Sequence, residues 1–364
     1  MQRFCAALRN PRSRSYLFPT RSSCDNKENM SLLKALVTSG IFLAGCGGAS
    51  PSPTTPDGGT DAPTKSGKAF ATAAEAPQYE GTSFRALQIF DLEAGIYLDE
   101  AALLEALDGD RLVFLGEQHE TTPVQELELW LLQRMTTRHA DVSLAMEHFQ
   151  HDEQPIVDDY LKGAISTDDF EKTSQPWKTY AQYWKPLVEH MKAKGRPIVA
   201  LNVPDEALQL LYGRYPVTPL TAFNAWDTTF AYDQSVAPRP LATWDATYKG
   251  YFESNFDYEA HGKSLGMSYA DALNYFTDLA LIRDETMGYF IAQELKNGGR
   301  VMTVAGDWHV QTGLATPDRA VRYAGNSPQY DLVTTTTTAK LEAMRGASVS
   351  GRKLAHFVLV YEAR

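Results

Sequence analysis

Four short apolar runs, each ending in a polar cluster, constrain this chain more than any other feature of its sequence. They occupy residues 112–115, 143–146, 198–201 and 301–305. Short apolar runs bounded by turn residues are typical of strands buried on both faces, as in a parallel sheet covered by helices. In such sheets, ligands bind outside the carboxyl ends of the strands. The sequence therefore predicts a parallel sheet with a functional pocket where these runs end.

Segments with helical patterning alternate with the predicted strands. The predicted strands cover 111–116, 142–147, 197–203 and 300–305, and the predicted helices cover 99–107, 123–138, 154–161, 186–194, 205–212 and 269–296. Two further β-rich segments, 331–338 and 354–361, predict a final C-terminal β-strand pair. We therefore expect an α/β fold with a mostly parallel central sheet flanked by helices.

Residues 213–267 interrupt this alternation, because they are rich in aromatic residues and contain four prolines. One interpretation is a smaller helical cap insertion that lies over the functional edge of the sheet. The other is a structural flap whose aromatic side chains only pack. The sequence leaves both open.

The amino-terminal region has the pattern of an export signal. Lys34 precedes a short apolar stretch that ends in small residues and Cys46, which is typical of a cleaved secretory signal. Leu43-Ala44-Gly45-Cys46 resembles the bacterial lipobox, in which the cysteine is lipidated. We therefore expect a signal peptide at 30–45, lipidation of Cys46 and a location in the bacterial cell envelope, with the outer membrane favoured. A cytoplasmic protein with a chance apolar segment is the alternative.

The segments on either side of this signal are expected to be unfolded. Residues 1–29 are interpreted as a mis-called start or a disordered extension, and 46–73 as a tether rich in Gly, Ser, Pro and Thr. The folded domain is then predicted to cover 74–364. The three cysteines, Cys5, Cys24 and Cys46, all precede it, so it can form neither disulfides nor a thiolate metal site.

The net charge of the chain is -11. Nucleic-acid binding depends on a basic surface that neutralises phosphates. An acidic domain of this kind argues against nucleic acid as a partner.

Acidic and imidazole side chains follow three of the four predicted strands. Glu117 and His119 follow the first strand, Glu147 ends the second, and His309 follows the fourth. If these strands are neighbours, the four side chains converge on one pocket, where they are candidate catalytic residues or ligands of a divalent metal. The alternatives are a solvated loop at Glu117 and His119 and a helix-capping acid at Glu147.

Several other polar residues are weaker candidates. Asn202 ends the third strand, Asp284 lies on the long predicted helix, and His261 lies in the insertion, from which it could reach the pocket. His148 and His151 are interpreted as surface residues. The sequence contains no Gly-rich phosphate loop and no Gly-x-Ser-x-Gly motif.

At these residues the chain resembles the ChaN family of haem-binding bacterial lipoproteins, within a wider group that includes Tiki-type metalloproteases and erythromycin esterases. The matching stretches are 115–119, 146–154, 160–163, 198–204, 283–287 and 304–309. Gln154 and Asp284 belong to these stretches and are candidate cofactor-binding residues. The chain departs from the family pattern in two places: Val124 and Gln125 stand where a histidine is common, and Ala280 stands in place of a glutamine.

The resemblance implies an α/β core, a smaller helical cap, and haem held between them by a tyrosine ligand. Tyrosine is a known axial ligand of haem iron. Tyr248, Tyr251 and Tyr258 of the insertion are the candidates for this role. The resemblance also leaves room for a homodimer around haem.

Three functions remain open at this point. The leading hypothesis is a lipid-anchored haem-binding protein that serves haem or iron uptake. The alternative is a protease-like or esterase-like hydrolase, in which the Glu/His cluster binds Mn²⁺ or Zn²⁺ and activates water. A cell-surface scaffold that has lost its chemistry is the third. Whether the protein is an enzyme is left undecided.

Overall fold

The computed structural model describes residues 66–174, 176–212 and 218–364. The strands are β1 (Ala69–Phe70), β2 (Phe84–Asp91), β3 (Ile96–Leu98), β4 (Leu112–Glu117), β5 (Val142–Gln150), β6 (Ile198–Asn202), β7 (Arg300–Gly306), β8 (Tyr330–Thr337), β9 (Ser348–Val349), β10 (Arg352–Lys353) and β11 (Phe357–Ala363).

Helices connect most of these strands. The helices are α1 (Glu100–Leu107), α2 (Thr122–Arg138), α3 (Gln154–Leu161), α4 (Thr167–Thr173), α5 (Tyr180–Tyr183), α6 (Lys185–Lys194), α7 (Asp205–Tyr212), α8 (Pro219–Asn224), α9 (Ala246–Asn255), α10 (Tyr258–His261), α11 (Tyr269–Lys296), α12 (Asp307–Val310), α13 (Thr316–Ala324) and α14 (Leu341–Gly346). None of the helices in the described ranges is both long and apolar enough to span a bilayer.

Nine strands form one sheet in the order β1-β3-β2-β11-β8-β4-β7-β5-β6. The six strands from β11 to β6 run parallel to one another, whereas β2, β3 and β1 extend the sheet in antiparallel pairings. The predicted α/β fold class is therefore confirmed. The predicted final strand pair corresponds to β8 and β11, which are neighbours and parallel.

Helices cover both faces of the parallel strands. On one face, Leu115 and Met302 belong to a hydrophobic cluster with Leu127 and Leu131 of α2. Trp184, which directly precedes α6, belongs to the same cluster. On the other face, Phe114, Ala305 and their neighbours pack against α11 and α13. A strand that is buried on both faces is a continuous run of apolar residues, because neither face alternates with polar positions. This explains why the four runs could be recognised in the sequence.

Gly288 allows α11 and α13 to approach closely. A Cβ atom at this position would lie 2.5 Å from the Cβ of Arg319 and 2.8 Å from the backbone nitrogen of Ala320. A larger residue would therefore push α13 away from α11. Because Thr316 at the start of α13 bonds to Asp284 on α11, this contact also positions the functional site.

The insertion is built from short helices, α8, α9 and α10, joined by irregular segments; its residues 213–217 lie outside the described ranges. It shares a hydrophobic cluster with α7 and α11 that includes Leu208, Phe223, Tyr251 and Leu279. Some aromatic residues of the insertion thus pack internally, as the flap interpretation predicted. Others reach the carboxyl edge of the sheet, as described below.

The structure corrects the amino-terminal boundary of the predicted domain. β1 lies inside the segment predicted as a tether and pairs with β3, so the folded part begins before residue 74. The two residues of β1 carry too little apolar pattern to be recognised without their partner strand. The predicted signal peptide, Cys46 and residues 1–29 lie outside the described residues.

Candidate functional site

The strand ends meet at the carboxyl edge of the sheet, as predicted. Glu117, the last residue of β4, lies opposite Gly306, the last residue of β7. Glu147 lies in β5, the other neighbour of β7. His309 lies in α12, which begins directly after β7. The side chains divide into two groups, one centred on Glu117 and one on His309.

Glu117 is the centre of the first group and is buried. Its Oε1 lies 2.5 Å from Nδ1 of His119 and 2.6 Å from Nε2 of His148. Its Oε2 accepts hydrogen bonds from Nε2 of Gln125 at 2.9 Å and from Nε1 of Trp184 at 3.0 Å. Glu117 is thus a fully bonded buried carboxylate, the arrangement that makes burial of such a charge tolerable. The solvated-loop alternative does not apply to it.

His148 was interpreted as a surface residue, and this is wrong. It is buried, it contacts Glu117, and its ring lies 4.2 Å from that of Trp184 and 4.9 Å from that of Trp177. The reason is that β5 continues to Gln150 rather than ending at Glu147. His148 therefore faces the same side of the sheet as Met146, two residues earlier, because strand side chains alternate. The alternation of side chains along a longer second strand is the sequence signal that would have predicted a buried His148.

Glu147 directly precedes His148 in β5, so its side chain points to the opposite face of the sheet. It is also buried. Its Oε2 accepts a hydrogen bond from the backbone nitrogen of Gly306 at 2.8 Å. A Cβ atom at Gly306 would lie 2.8 Å from Nε2 of His119 and 3.5 Å from Oε2 of Glu147. A larger residue here would displace the ring of His119, whereas the distance to Glu147 is an ordinary van der Waals contact. Glu147 is a member of the site rather than a helix cap.

His309 and Asp284 form the second group. Nδ1 of His309 lies 2.7 Å from Oδ1 of Asp284, and its Nε2 lies 3.6 Å from Oε1 of Glu147. Asp284 also accepts hydrogen bonds from Thr316 at 2.7 Å and from the hydroxyl of Tyr248 at 2.5 Å. These bonds fix the orientation of the imidazole and direct its Nε2 toward Glu147.

Paired charges set the protonation of both groups. Burial alone would raise the pKa of Glu117, but the imidazoles of His148 and His119 hold it well below its usual range. Burial alone would lower the pKa of His119, but Glu117 and Glu147 raise it to about 9. In the same way His309 lowers the pKa of Glu147, while Glu147 and Asp284 raise the pKa of His309. The site is therefore a set of mutually stabilised ion pairs.

Two buried residues of α2 complete the first group and were not predicted. Gln125, noted in the sequence only as a departure from the family pattern, donates to Glu117 and, at 3.3 Å, to Glu128. Burial and the neighbouring Glu117 raise the pKa of Glu128 well above its usual range. Glu128 is thus held as a neutral carboxylic acid next to an ionised one. Only tertiary packing places these residues against β4.

The predicted metal-ligand set is divided in two. Among the described residues, the ligand atoms of Glu117, His119 and His148 lie within 4.8 Å of one another. Glu147 and His309 were predicted as ligands of the same ion, but they form the separate pair described above. The candidate metal site therefore contains His148 in place of Glu147 and His309.

The predicted cofactor-binding tyrosines have their hydroxyls engaged in hydrogen bonds. Tyr248 bonds to Asp284, Tyr251 bonds to the carbonyl of Trp308 at 2.9 Å, and Tyr258 bonds to the carbonyl of Met267 at 2.8 Å. Burial raises the pKa of both Tyr248 and Tyr251 well above its usual value. Tyr248 and Tyr251 tie the insertion to the site, but neither offers an accessible phenolate.

Gln154 and His261 lie outside the two groups. The side chain of Gln154 bonds to the carbonyl of Ile198 at 2.8 Å and to the nitrogen of Ala200 at 2.7 Å. It therefore satisfies the backbone of the edge strand β6. His261 packs beside the rings of Phe256 and Phe276, and burial lowers its pKa, an effect that Asp257 of the insertion partly offsets.

Asn202 and His151 also lie outside the two groups and bond to nearby backbone atoms. Asn202 accepts a hydrogen bond from the backbone nitrogen of Val203 at 2.9 Å. His151, interpreted as a surface residue, is half-buried, stacks on Phe290, and bonds to the carbonyl of Ala200 at 2.6 Å.

An aromatic surface extends away from His309 along the insertion; it consists of Phe252, Phe256, Tyr269 and Trp308. Ring centroids are 6.3 Å apart between Trp308 and Phe252, 5.7 Å between Phe252 and Phe256, and 6.1 Å between Phe256 and Tyr269. Trp308 is 37% exposed and Tyr269 is 45% exposed. Phe252 and Phe256, which lie between them, are half-buried. Contiguous exposed apolar surface is uncommon on a soluble monomer and marks a binding surface.

The fold and these groups define an α/β protein with a pocket of carboxylates and imidazoles at the carboxyl edge of its sheet. Residues 103–320 match the family described as haem-binding uptake, Tiki superfamily, ChaN. This range is more than half of the 364-residue chain, and the chain therefore belongs to that family. The resemblance derived from the sequence motifs is confirmed. No curated protein sequence matches the chain.

Solved structures with a similar fold include ChaN of Campylobacter jejuni, reported with cofacial haem binding. It is 14% identical, with a TM-score of 0.53, and the match covers 79% of this chain and 100% of that one. At this identity the likeness establishes the fold. The type III effector HopBA1 (12% identity, TM-score 0.39, 72% and 93% coverage) and a mutant of erythromycin esterase EreC in its open conformation (14%, 0.39, 72% and 78%) are more distant.

Proposed function

We propose that this protein binds haem on the aromatic surface and serves haem or iron uptake from a lipid-anchored position in the cell envelope. The observation that carries the proposal is the row of neighbouring aromatic rings from Trp308, the residue before His309, to Tyr269, whose two end members are exposed. Membership of a haem-binding uptake family supports it. The cofacial haem binding reported for ChaN of Campylobacter jejuni is compatible with a homodimer around haem, which stays a prediction for this chain.

Tyr269 is the residue that we propose as the iron ligand. Its phenol is exposed at the far end of the aromatic surface and donates to Oε1 of Glu253 at 3.2 Å. A tyrosine binds ferric haem iron as a phenolate, which requires a hydroxyl that the iron can reach. Tyr248 and Tyr251 lack that access, and Tyr258 bonds to a backbone carbonyl.

We expect Tyr269→Phe to change the absorption spectrum of the haemin complex of the full-length protein. Wild-type protein should shift the Soret band of haemin with saturation at a fixed stoichiometry, and show the charge-transfer absorption of a phenolate ligand. Tyr269→Phe should lose the charge-transfer band, whereas Tyr258→Phe, a matched control from the neighbouring insertion, should keep it. Identical spectra for both variants would rule out Tyr269 as the ligand, and no Soret shift with wild-type protein would overturn haem binding.

The membrane anchor is proposed from Cys46 and the residues before it. One acyl chain gives only marginal membrane binding, whereas two or more give stable anchoring. We expect the wild-type protein to sediment with membranes and Cys46→Ala to remain in the soluble fraction after cell lysis. Equal distribution of the two proteins would contradict lipidation at Cys46.

A divalent-metal-dependent hydrolase is the second candidate, and a specific observation favours it. The oxygen of Glu117 that contacts both His119 and His148 lies among nitrogen atoms suited to Mn²⁺ or Zn²⁺. A bound cation would replace the protons that now link these three side chains, and it would supply Lewis-acid activation of water. Trp184 and Gln125, which hold the other oxygen of Glu117, would fix the carboxylate.

Metal titration of the full-length protein tests this second candidate. We expect one Zn²⁺ or Mn²⁺ per chain by calorimetry and elemental analysis, and at least tenfold weaker binding by His148→Ala. His139→Ala is the control, since His139 pairs with Asp108 at 2.6 Å away from the cluster. Equal metal binding by both variants, or none by the wild type, would contradict a metal site at Glu117.

A further inference from the structure

A further pocket lies between the insertion and α11, away from the groups centred on Glu117 and His309. It is a cavity of about 340 Å³, a volume within the range of small-molecule sites. We call it the insertion pocket; the residues that line it include Thr218, Thr221, Thr243, Trp244, Asn274 and Asp278. Asp278 precedes Asp284 by six residues on α11, which is about 9 Å along the helix axis. The insertion pocket is therefore separate from the pocket at the edge of the sheet.

The floor of the insertion pocket contains the carboxylate of Asp278, which is only 4% exposed. Its Oδ1 accepts a hydrogen bond from Nε1 of Trp244 at 2.7 Å, and its Oδ2 accepts one from the backbone nitrogen of Leu220 at 3.1 Å. An ionised carboxylate has about four acceptor positions. These two bonds therefore fix the group in place and leave acceptor capacity for a ligand.

Asp278 is a buried acid without a cationic partner. None of the ion pairs among the described residues includes it. Burial raises the pKa of Asp278, and its hydrogen bonds from Trp244, Leu220 and Thr218 offset part of this effect. A buried charge is stabilised by each additional hydrogen-bond donor. A ligand hydroxyl that reached the carboxylate would supply one.

Neutral polar groups surround this carboxylate. Thr218, Thr221 and Thr243 form an exposed rim of hydroxyl groups. Asn274 lies one helical turn before Asp278, on the same side of α11. Oδ1 of Asn274 accepts a hydrogen bond from Nζ of Lys249 at 2.7 Å. This contact orients the amide, whose two N–H donors make no hydrogen bond within the described part of the chain.

The charges around the insertion pocket favour a neutral ligand. Asp278 would repel an anion. The ammonium of Lys249 lies 4.8 Å from the ring of Trp244, so it already takes the position that a cationic ligand would occupy over that ring. The buried side chains of Leu220 and Leu241 add apolar lining. A compound that combines several hydroxyl groups with an apolar C–H face matches this lining.

We propose that the insertion pocket binds a neutral sugar, with Asp278 and Asn274 bonding to its hydroxyl groups. A sugar hydroxyl both donates and accepts, so adjacent hydroxyls can donate to the carboxylate of Asp278 and accept from the amide of Asn274. This inference goes beyond haem binding, because the insertion pocket contains no residue of the aromatic surface.

Saturation-transfer NMR titrations of the full-length protein with D-glucose, D-galactose, D-mannose and N-acetyl-D-glucosamine test this inference. We expect wild type to bind at least one of these sugars saturably, with a dissociation constant in the millimolar range or below. Asn274→Ala should weaken that binding about fivefold, the effect of one hydrogen bond. Asn297→Ala is the matched control, because it makes the same substitution at the other end of α11, where the side chain bonds to Glu294 at 2.9 Å. It should bind the sugar as wild type does.

A second variant separates loss of binding from loss of folding. Thr243→Val removes an exposed hydroxyl of the rim, so it should weaken sugar binding while the melting temperature stays at the wild-type value. If none of the four sugars binds saturably to wild type, the insertion pocket is not a sugar site. Equal sugar binding by Asn274→Ala and Asn297→Ala would also overturn the proposal, because the sugar would then bind elsewhere.

Discussion

Replacing Glu117 with alanine is expected to lower the melting temperature of the protein by roughly 10 °C. Glu117 is buried and bonded to His119, His148, Gln125 and Trp184. Removing one member of a buried charge pair leaves the other uncompensated, which costs about 3–5 kcal/mol. For a domain of this size each kcal/mol lowers the melting temperature by roughly 2–4 °C. Thermal unfolding followed by circular dichroism measures the change.

Glu120→Ala is the matched control for this substitution. Glu120 is exposed, three residues from Glu117, and its carboxylate accepts one hydrogen bond from Thr179 at 2.8 Å. Such a surface change is expected to alter the free energy of unfolding by only about 0.5 kcal/mol. If Glu117→Ala melted within about 2 °C of the Glu120→Ala variant, Glu117 would not be the organising charge of the site.

Trp308→Ala is expected to weaken haemin binding at least tenfold while leaving the fold intact. Trp308 is already 37% exposed and starts the aromatic surface, so its removal leaves no large internal cavity. Burying an aromatic ring against a flat apolar ligand contributes about 1.5–3 kcal/mol, and 1.4 kcal/mol corresponds to a factor of ten in affinity. Titration followed by the Soret band gives the two dissociation constants.

Leu210→Ala controls for general loss of exposed apolar area. Leu210 is 46% exposed and lies on α7, outside the aromatic surface. The Leu210→Ala variant should bind haemin with wild-type affinity. Equal weakening by both substitutions would mean that haemin adsorbs to apolar side chains without a defined site.

The sequence revealed the parallel strands and most helices because these elements bury continuous or regularly spaced apolar residues. The 269–296 helix coincides with α11, and the strand ends place Glu117, His119, Glu147 and His309 at one edge. Alternating parallel strands and helices bring the carboxyl ends of the strands to one edge of the sheet. The order of the strands and the contacts between their side chains leave no local signal in the sequence. That is why the convergence was predictable although the detailed pairing was not.

The errors at the site arose where tertiary contacts decide the role of a side chain. His148 was missed because β5 continues past Glu147 through an irregularity in its pairing with β6. Tyr248 was a candidate ligand because the family resemblance implies a tyrosine, but only the fold determines that its hydroxyl bonds to Asp284. Gln154 lies in a family motif, yet its amide completes the hydrogen bonding of an edge strand.

The group centred on His309 and the aromatic surface are connected through the backbone of α12. Tyr251 on α9 bonds to the carbonyl of Trp308, whose neighbour His309 bonds to Asp284. A ligand on the aromatic surface would therefore contact a backbone segment that is held in place by the ion pairs of the pocket. Preorganisation of this kind lowers the cost of ordering side chains on binding.

Hydrogen–deuterium exchange of the full-length protein, with and without stoichiometric haemin, tests the location of the binding surface most directly. We expect haemin to slow exchange in α9 (Ala246–Asn255) and in α12 (Asp307–Val310), which carry Phe252 and Trp308. The hairpin of β9 and β10 should exchange at an unchanged rate. Slower exchange confined to other segments, or no change anywhere with haemin bound, would contradict haem binding at the aromatic surface.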